Sequence, residues 1–156
     1  MKDLRQFYIN GQWVAPLQAH DLAVENPATE ELVATISLGT AADVERAIAA
    51  AKAAFPHFSQ TSVAERVALL EKLLQIYTER YDEMALAISM EMGAPISFST
   101  AAQADCGRGH IATALEALKT YEFERQVGNT RVVKEPIGVC GFITPWNWPI
   151  NQIACK

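Results

Sequence analysis

The sequence predicts an α/β fold in which N-terminal hairpins and a series of helices lead into a strand, a turn and a final helix. Three observations predict it. Short apolar runs flank turn residues at the N-terminus, and the apolar period lengthens to that of a helix from Thr40. Near Ile143 a run bounded by glycines and prolines returns to strand character.

Each element has a local reason. FYIN and WVA flank Asn10-Gly11, a dipeptide that tolerates the positive φ of a tight hairpin turn. LAVEN and ELVATISL flank Pro27-Ala28-Thr29 and predict a second hairpin or turn. Thr40 is a suitable N-cap, with Asp43 as capping-box acid, ahead of a stripe of Val44, Ala47, Ile48 and Ala51. Ser62 and Glu65 complete an S-x-x-E box for the next helix, whose Val63, Val67, Leu70, Leu74 and Tyr77 follow helical spacing. A third helical piece runs to Gly93, a C′ glycine with Pro95 just beyond. Ile111, Leu115 and Leu118 mark a further helix ending near Tyr121.

After Gly128 the pattern returns to strand, through NTRVVKEP to IGVCGFIT, a run suited to a parallel sheet covered on both faces. Pro149 suits the first turn of a last helix. A lone strand, turn and helix cannot cover both faces of its strand. The expectation is therefore a truncated chain whose last strand has open edges, weakly stable and prone to self-association.

Composition narrows the function. Of 156 residues, 50% are hydrophobic and 20% charged, an ordinary globular balance for one domain. The net charge of -5, without any Lys/Arg run, argues against nucleic acid and anionic membranes as partners. No apolar stretch is long enough to span a bilayer, and MKDLRQFYINGQW has no signal-peptide core. Cys106, Cys140 and Cys155 have no paired spacing and predict free thiols in a reducing cytoplasm. Together with three scattered histidines they offer too few soft ligands for zinc.

The chemistry-bearing motifs divide sharply. GRGHIA, from Gly107, has the G-x-G-x-x-A form, but no strand precedes it, so close helix packing is the better reading. Cys106 and His110 share a helix face without an orienting third group, which favours a structural pair over a thiol nucleophile. Cys140 reads as a small buried hydrophobe within its strand. ITPWNWP is different. It lies at the carboxyl end of the expected strand, where open α/β sheets bind ligands. Asn147, stiffened by Pro145 and Pro149, suits a neutral donor to a developing oxyanion. Lys156, about two helical turns past Pro149, could return toward that turn. The competing reading makes Asn147 a helix cap, the tryptophans core filler and Lys156 a solvated cation.

Across YINGQWV, ENPATEELVATI, the S-x-x-ER helix, EMGAP and above all KEPIGVCGFITPWNWPINQIACK, the chain resembles the aldehyde dehydrogenase superfamily. The resemblance implies oxidation of an aldehyde to a carboxylic acid with NAD or NADP, through a cysteine thiohemiacetal. It implies that residues 1–156 form the N-terminal part of a Rossmann-like dinucleotide-binding domain. The helical region would cover about 40–122, the start of the sheet about 129–156, and the catalytic domain would lie outside. By resemblance Asn147 is an oxyanion-hole donor, and Ile143, Thr144, Pro145, Trp146 and Asn147 line the cofactor. Lys156 matches a lysine of a proton relay, and Glu91 with the Val24 backbone falls near a structural monovalent cation. The resemblance also implies a homo-oligomer, dimer or tetramer, of the full-length enzyme, with an aldehyde as small-molecule substrate. None of Cys106, Cys140 and Cys155 matches the family nucleophile, so residues 1–156 alone are expected to be inactive. A non-catalytic packing or oligomerisation module that retains the pattern is the alternative.

Overall fold

The computed structural model describes residues 2–156 as a mixed α/β chain. Strand β1 (Lys2–Leu4) lies parallel to β5 (Leu32–Ser37), which pairs antiparallel with β4 (Asp21–Glu25), giving the order β1-β5-β4. Separately, β2 (Phe7–Ile9) and β3 (Gln12–Val14) form the hairpin expected around Asn10-Gly11. Both turn residues have positive φ, 53° and 73°, which is why an Asn-Gly pair occupies it.

The helices follow their caps. Helix α1 (Ala41–Phe58) and α2 (Val63–Glu79) each begin at a reciprocal capping box, Thr40 with Asp43 and Ser62 with Glu65. Helix α3 (Tyr81–Met92) stops at Gly93, whose φ of 76° only glycine adopts without strain. A Cβ there would meet Pro27 Cγ at 2.5 Å, so the same glycine lets the β4–β5 turn seat against the end of α3. A short α4 (Ile96–Phe98) continues into a π-helical turn, Ser99–Ala104, and then α5 (Asp105–Thr120). Strands β6 (Glu124–Val127) and β7 (Thr130–Val133) form a second two-stranded antiparallel ribbon, and α6 (Pro149–Ala154) begins at Pro149 as expected.

The core sits where α3, the π turn, α5 and α6 meet. Ala85, Ile88 and Ala104 are buried together, with Tyr81, Met84, Met92 and Ile150 packed around them. The α2 stripe from Val63 to Tyr77 is half-buried along its length and faces α5. The α1 stripe is largely uncovered: Val44, Ala47 and Ala51 are exposed, and only Ile48 is half-buried.

Two expectations are corrected. Residues 137–144 are not hydrogen-bonded into any sheet. A strand is defined by its neighbours, and among the described residues none lies alongside; Gly138, at φ 124°, also departs from strand geometry. Cys140 is consequently exposed rather than buried, because no second sheet face closes over it.

Candidate functional site

Proline at the first position of α6 fixes the direction in which the PWNWP turn enters the helix. Trp148 is the N-cap residue of α6, and no side chain caps it, so Asn147 is not the capping residue. The Asn147 side chain makes no hydrogen bond among the described residues and is exposed. Its backbone is held: Gln103 Nε2 donates to the Asn147 carbonyl at 3.3 Å. Trp148 packs edge-on against Phe98, with ring centroids 5.6 Å apart. One turn further on, His110 Nε2 and Asn151 Oδ1 are 2.6 Å apart and tie α6 to α5.

These anchors come from one unusual piece of helix. The π turn departs from regular α-helical bonding, and two of its carbonyls accept from tyrosine hydroxyls. Tyr77 Oη donates to Ala104 O at 2.7 Å, and Tyr81 Oη donates to Thr100 O at 2.5 Å. Burial pushes the Tyr77 hydroxyl up to about 12 and also raises Tyr81, so both remain protonated donors at neutral pH. Gln103 is 2% exposed, and neither its Oε1 nor the buried Ser99 Oγ finds a partner among the described residues. Such an unpaired buried polar group costs about 1–3 kcal/mol.

Gly107 completes the junction. A Cβ there would lie 2.5 Å from Tyr77 Oη and 2.7 Å from Ile150 Cγ1, so α2, α5 and α6 approach as closely as they do because residue 107 has no side chain. GRGHIA therefore lies within α5 as a packing element, not at the start of a helix where phosphate would bind. Cys106 is half-buried, and His110 bonds Asn151 rather than the thiol.

The other residues that the sequence singled out are spread over separate parts of the fold. Ile143 is 95% exposed and Trp146 78%, while Thr144 and Pro145 between them are also exposed. A cleft of about 800 Å³ between α3 and α6 brings Trp146 together with Glu91, Glu25 and Pro27. Val24 pairs with Ala34 in the sheet, one residue before Glu25. Among the described residues no group of three or more His, Cys, Asp or Glu side chains could hold a metal ion. Lys156 Nζ donates to the Gln152 carbonyl at 3.2 Å and to Gln152 Oε1 at 2.9 Å, one helical turn back rather than at Asn147. Sequence periodicity passes over Gln103, because its partner is 44 positions away and no local pattern marks it.

Comparison with known proteins extends this geometry. The aldehyde dehydrogenase family model matches residues 13–156. The chain is 52% identical over its whole length to a 3-succinoylsemialdehyde-pyridine dehydrogenase from a Pseudomonas species, of which it covers 33%. It superposes on an aldehyde dehydrogenase from Bartonella henselae with a TM-score of 0.95 at 46% identity, covering 99% of this chain and 33% of that one. A mutant aldehyde dehydrogenase C from Pseudomonas syringae, complexed with NAD+ and octanal, gives 0.95 at 49% identity, over 97% of this chain and 31% of that one. The chain thus spans about a third of the length of the relatives it matches. No helix among the described residues is long and apolar enough to cross a membrane. From Trp13 to Lys156, in sequence pattern as in backbone course, this chain belongs to the aldehyde dehydrogenase family.

Proposed function

We propose that the chain supplies part of the active site of an NAD(P)-dependent aldehyde dehydrogenase, with Asn147 donating to the oxyanion derived from the aldehyde. The carrying observation is the Asn147 carboxamide, exposed and without a hydrogen-bond partner among the described residues, on a residue whose backbone carbonyl accepts from Gln103 Nε2. A neutral amide carried on a backbone held in this way can donate to developing negative charge. The relative complexed with NAD+ and octanal supports an aldehyde as substrate and a nicotinamide dinucleotide as cofactor.

Residues 143–147 suit the nicotinamide end of NAD or NADP rather than its phosphates. Ile143, Thr144, Pro145 and Trp146 offer exposed apolar and backbone surface, and Asn147 adds an amide, while no cation lies among them to attract phosphate. When bound, such a cofactor accepts hydride; the residues present orient it. Lys156 is proposed for proton transfer after release from Gln152. Glu91 and the Val24 backbone are proposed as oxygen donors to a monovalent cation, a hard ion suited to such ligands. A homo-oligomer, dimer or tetramer, in the cytoplasm completes the reading, the compartment resting on three free thiols.

The test is Asn147→Ala in the polypeptide that carries residues 1–156. The expected result is a fall in kcat of about 10²–10³-fold with an unchanged unfolding midpoint. Wild-type turnover in that variant overturns the assignment. A wild-type polypeptide that assembles but oxidises no aldehyde favours the packing-module alternative.

A further inference from the structure

We infer that Gln103 is a positioning residue for Asn147, fixing the candidate oxyanion donor through the donor's own backbone carbonyl. This rests on the oxyanion reading given above.

Between Glu135 and Asn147 the main chain makes no backbone–backbone hydrogen bond among the described residues. The one side-chain bond in that interval is local, from Cys140 Sγ to the Gly138 carbonyl. The bond from Gln103 Nε2 to Asn147 O is therefore the first hydrogen bond among the described residues that ties this run to the helices. The other two anchors act beyond Asn147, through Trp148 and Asn151. Only Gln103 acts on Asn147 itself.

The chemistry of Gln103 favours the same role. It is 2% exposed, and one end of its carboxamide has no partner among the described residues. Methionine or leucine would fill a similar volume without that penalty. What the amide adds is an N–H aimed at the Asn147 carbonyl; its other neighbour, Met92 Sδ at 3.9 Å, is a weak acceptor. The orientation of the amide is fixed by chemistry, since a carbonyl partner requires the NH₂ end. Its supporting helix is braced in turn, with Tyr77 and Tyr81 holding the flanking carbonyls of the π turn.

The decisive variant is Gln103→Met, which keeps length and volume but removes the donor. Ser99→Ala, on the same turn and equally buried, is the control for packing alone. Both are made in the polypeptide that carries residues 1–156 and read by amide hydrogen exchange and by steady-state kinetics. Gln103→Met is expected to speed exchange of the Gln152 amide, which bonds the Trp148 carbonyl at the head of α6, while α2 and α5 keep wild-type protection. It should lower kcat by about tenfold to a hundredfold, a loss typical of a slightly misplaced group, with KM changed much less. In an Asn147→Ala background it should lower kcat no further. Unchanged exchange at Gln152, or an equal change in Ser99→Ala, overturns the positioning role. Faster exchange together with a fully active Asn147→Ala variant overturns the oxyanion reading instead, and leaves the hold of Gln103 on the turn supported.

Discussion

The two halves of this molecule use similar apolar content to opposite effect. Around α3, the π turn, α5 and α6, small residues let elements close on one another, and Ile88 is 4% exposed. Along α1, a stripe of the same helical spacing faces outward, and Val44 is 54% exposed. The difference lies in what is brought alongside. Periodicity states which face of a helix is apolar; tertiary structure decides whether anything covers it.

The sharpest way to break that contrast is to truncate one residue in each half. Ile88→Ala should destabilise the chain by about 3 kcal/mol, whereas Val44→Ala should stay within about 0.5 kcal/mol. Urea unfolding checks both, and equal losses would show that α1 is packed in solution. Gly107 and Gly109 sharpen the comparison inside a single helix. Gly107→Val should cost about 2 kcal/mol, because its side chain would enter space held by Tyr77 and Ile150. Gly109→Ala meets nothing within 4 Å and should stabilise by about 0.5–1 kcal/mol through helix propensity.

The smallest effect is acid-dependent and belongs to the junction of α1 with the N-terminal strands. Asp43 accepts from the backbone N–H of Thr40 and of Leu17, both at 2.9 Å, and from the Thr40 hydroxyl at 2.7 Å. These bonds, the Thr40 backbone first, hold its carboxyl below the ordinary range. A group depressed in the folded state stabilises above its unfolded pKa, near 3.9, and that contribution is lost as pH falls through the folded value. Asp43→Asn should therefore flatten the dependence of stability on pH below about 4, as read from thermal midpoints across an acid series.

What was legible in the sequence follows the same division. Both capping boxes, the Asn10-Gly11 turn, the Gly93 stop and Pro149 at the head of α6 depend on neighbours a few residues apart, and each forms as expected. The strand expected over residues 137–144 depends on partners that periodicity cannot supply, and the burial expected of Cys140 failed with it. At the candidate site, ITPWNWP was legible because prolines and an isolated polar residue stand out in an apolar run. Gln103 was not, since nothing near it in the chain distinguishes a buried anchor from a solvated amide. The π turn was equally silent: STAAQA reads only as not a strand, and nothing in it marks the altered helix that Tyr77 and Tyr81 brace.

The π turn also makes this helix a matter of phase. A helix advances about 100° per residue, so removing one residue between Ser99 and Ala104 would let regular bonding resume and rotate everything on one side relative to the other. If Gln103 and Gly107 kept their seats against Asn147 and Tyr77, Phe98 and the Thr100 carbonyl would turn away from Trp148 and Tyr81; if those contacts held, Gln103 and Gly107 would leave theirs. One inserted residue thus sets two angular alignments at once, and no single deletion can satisfy both.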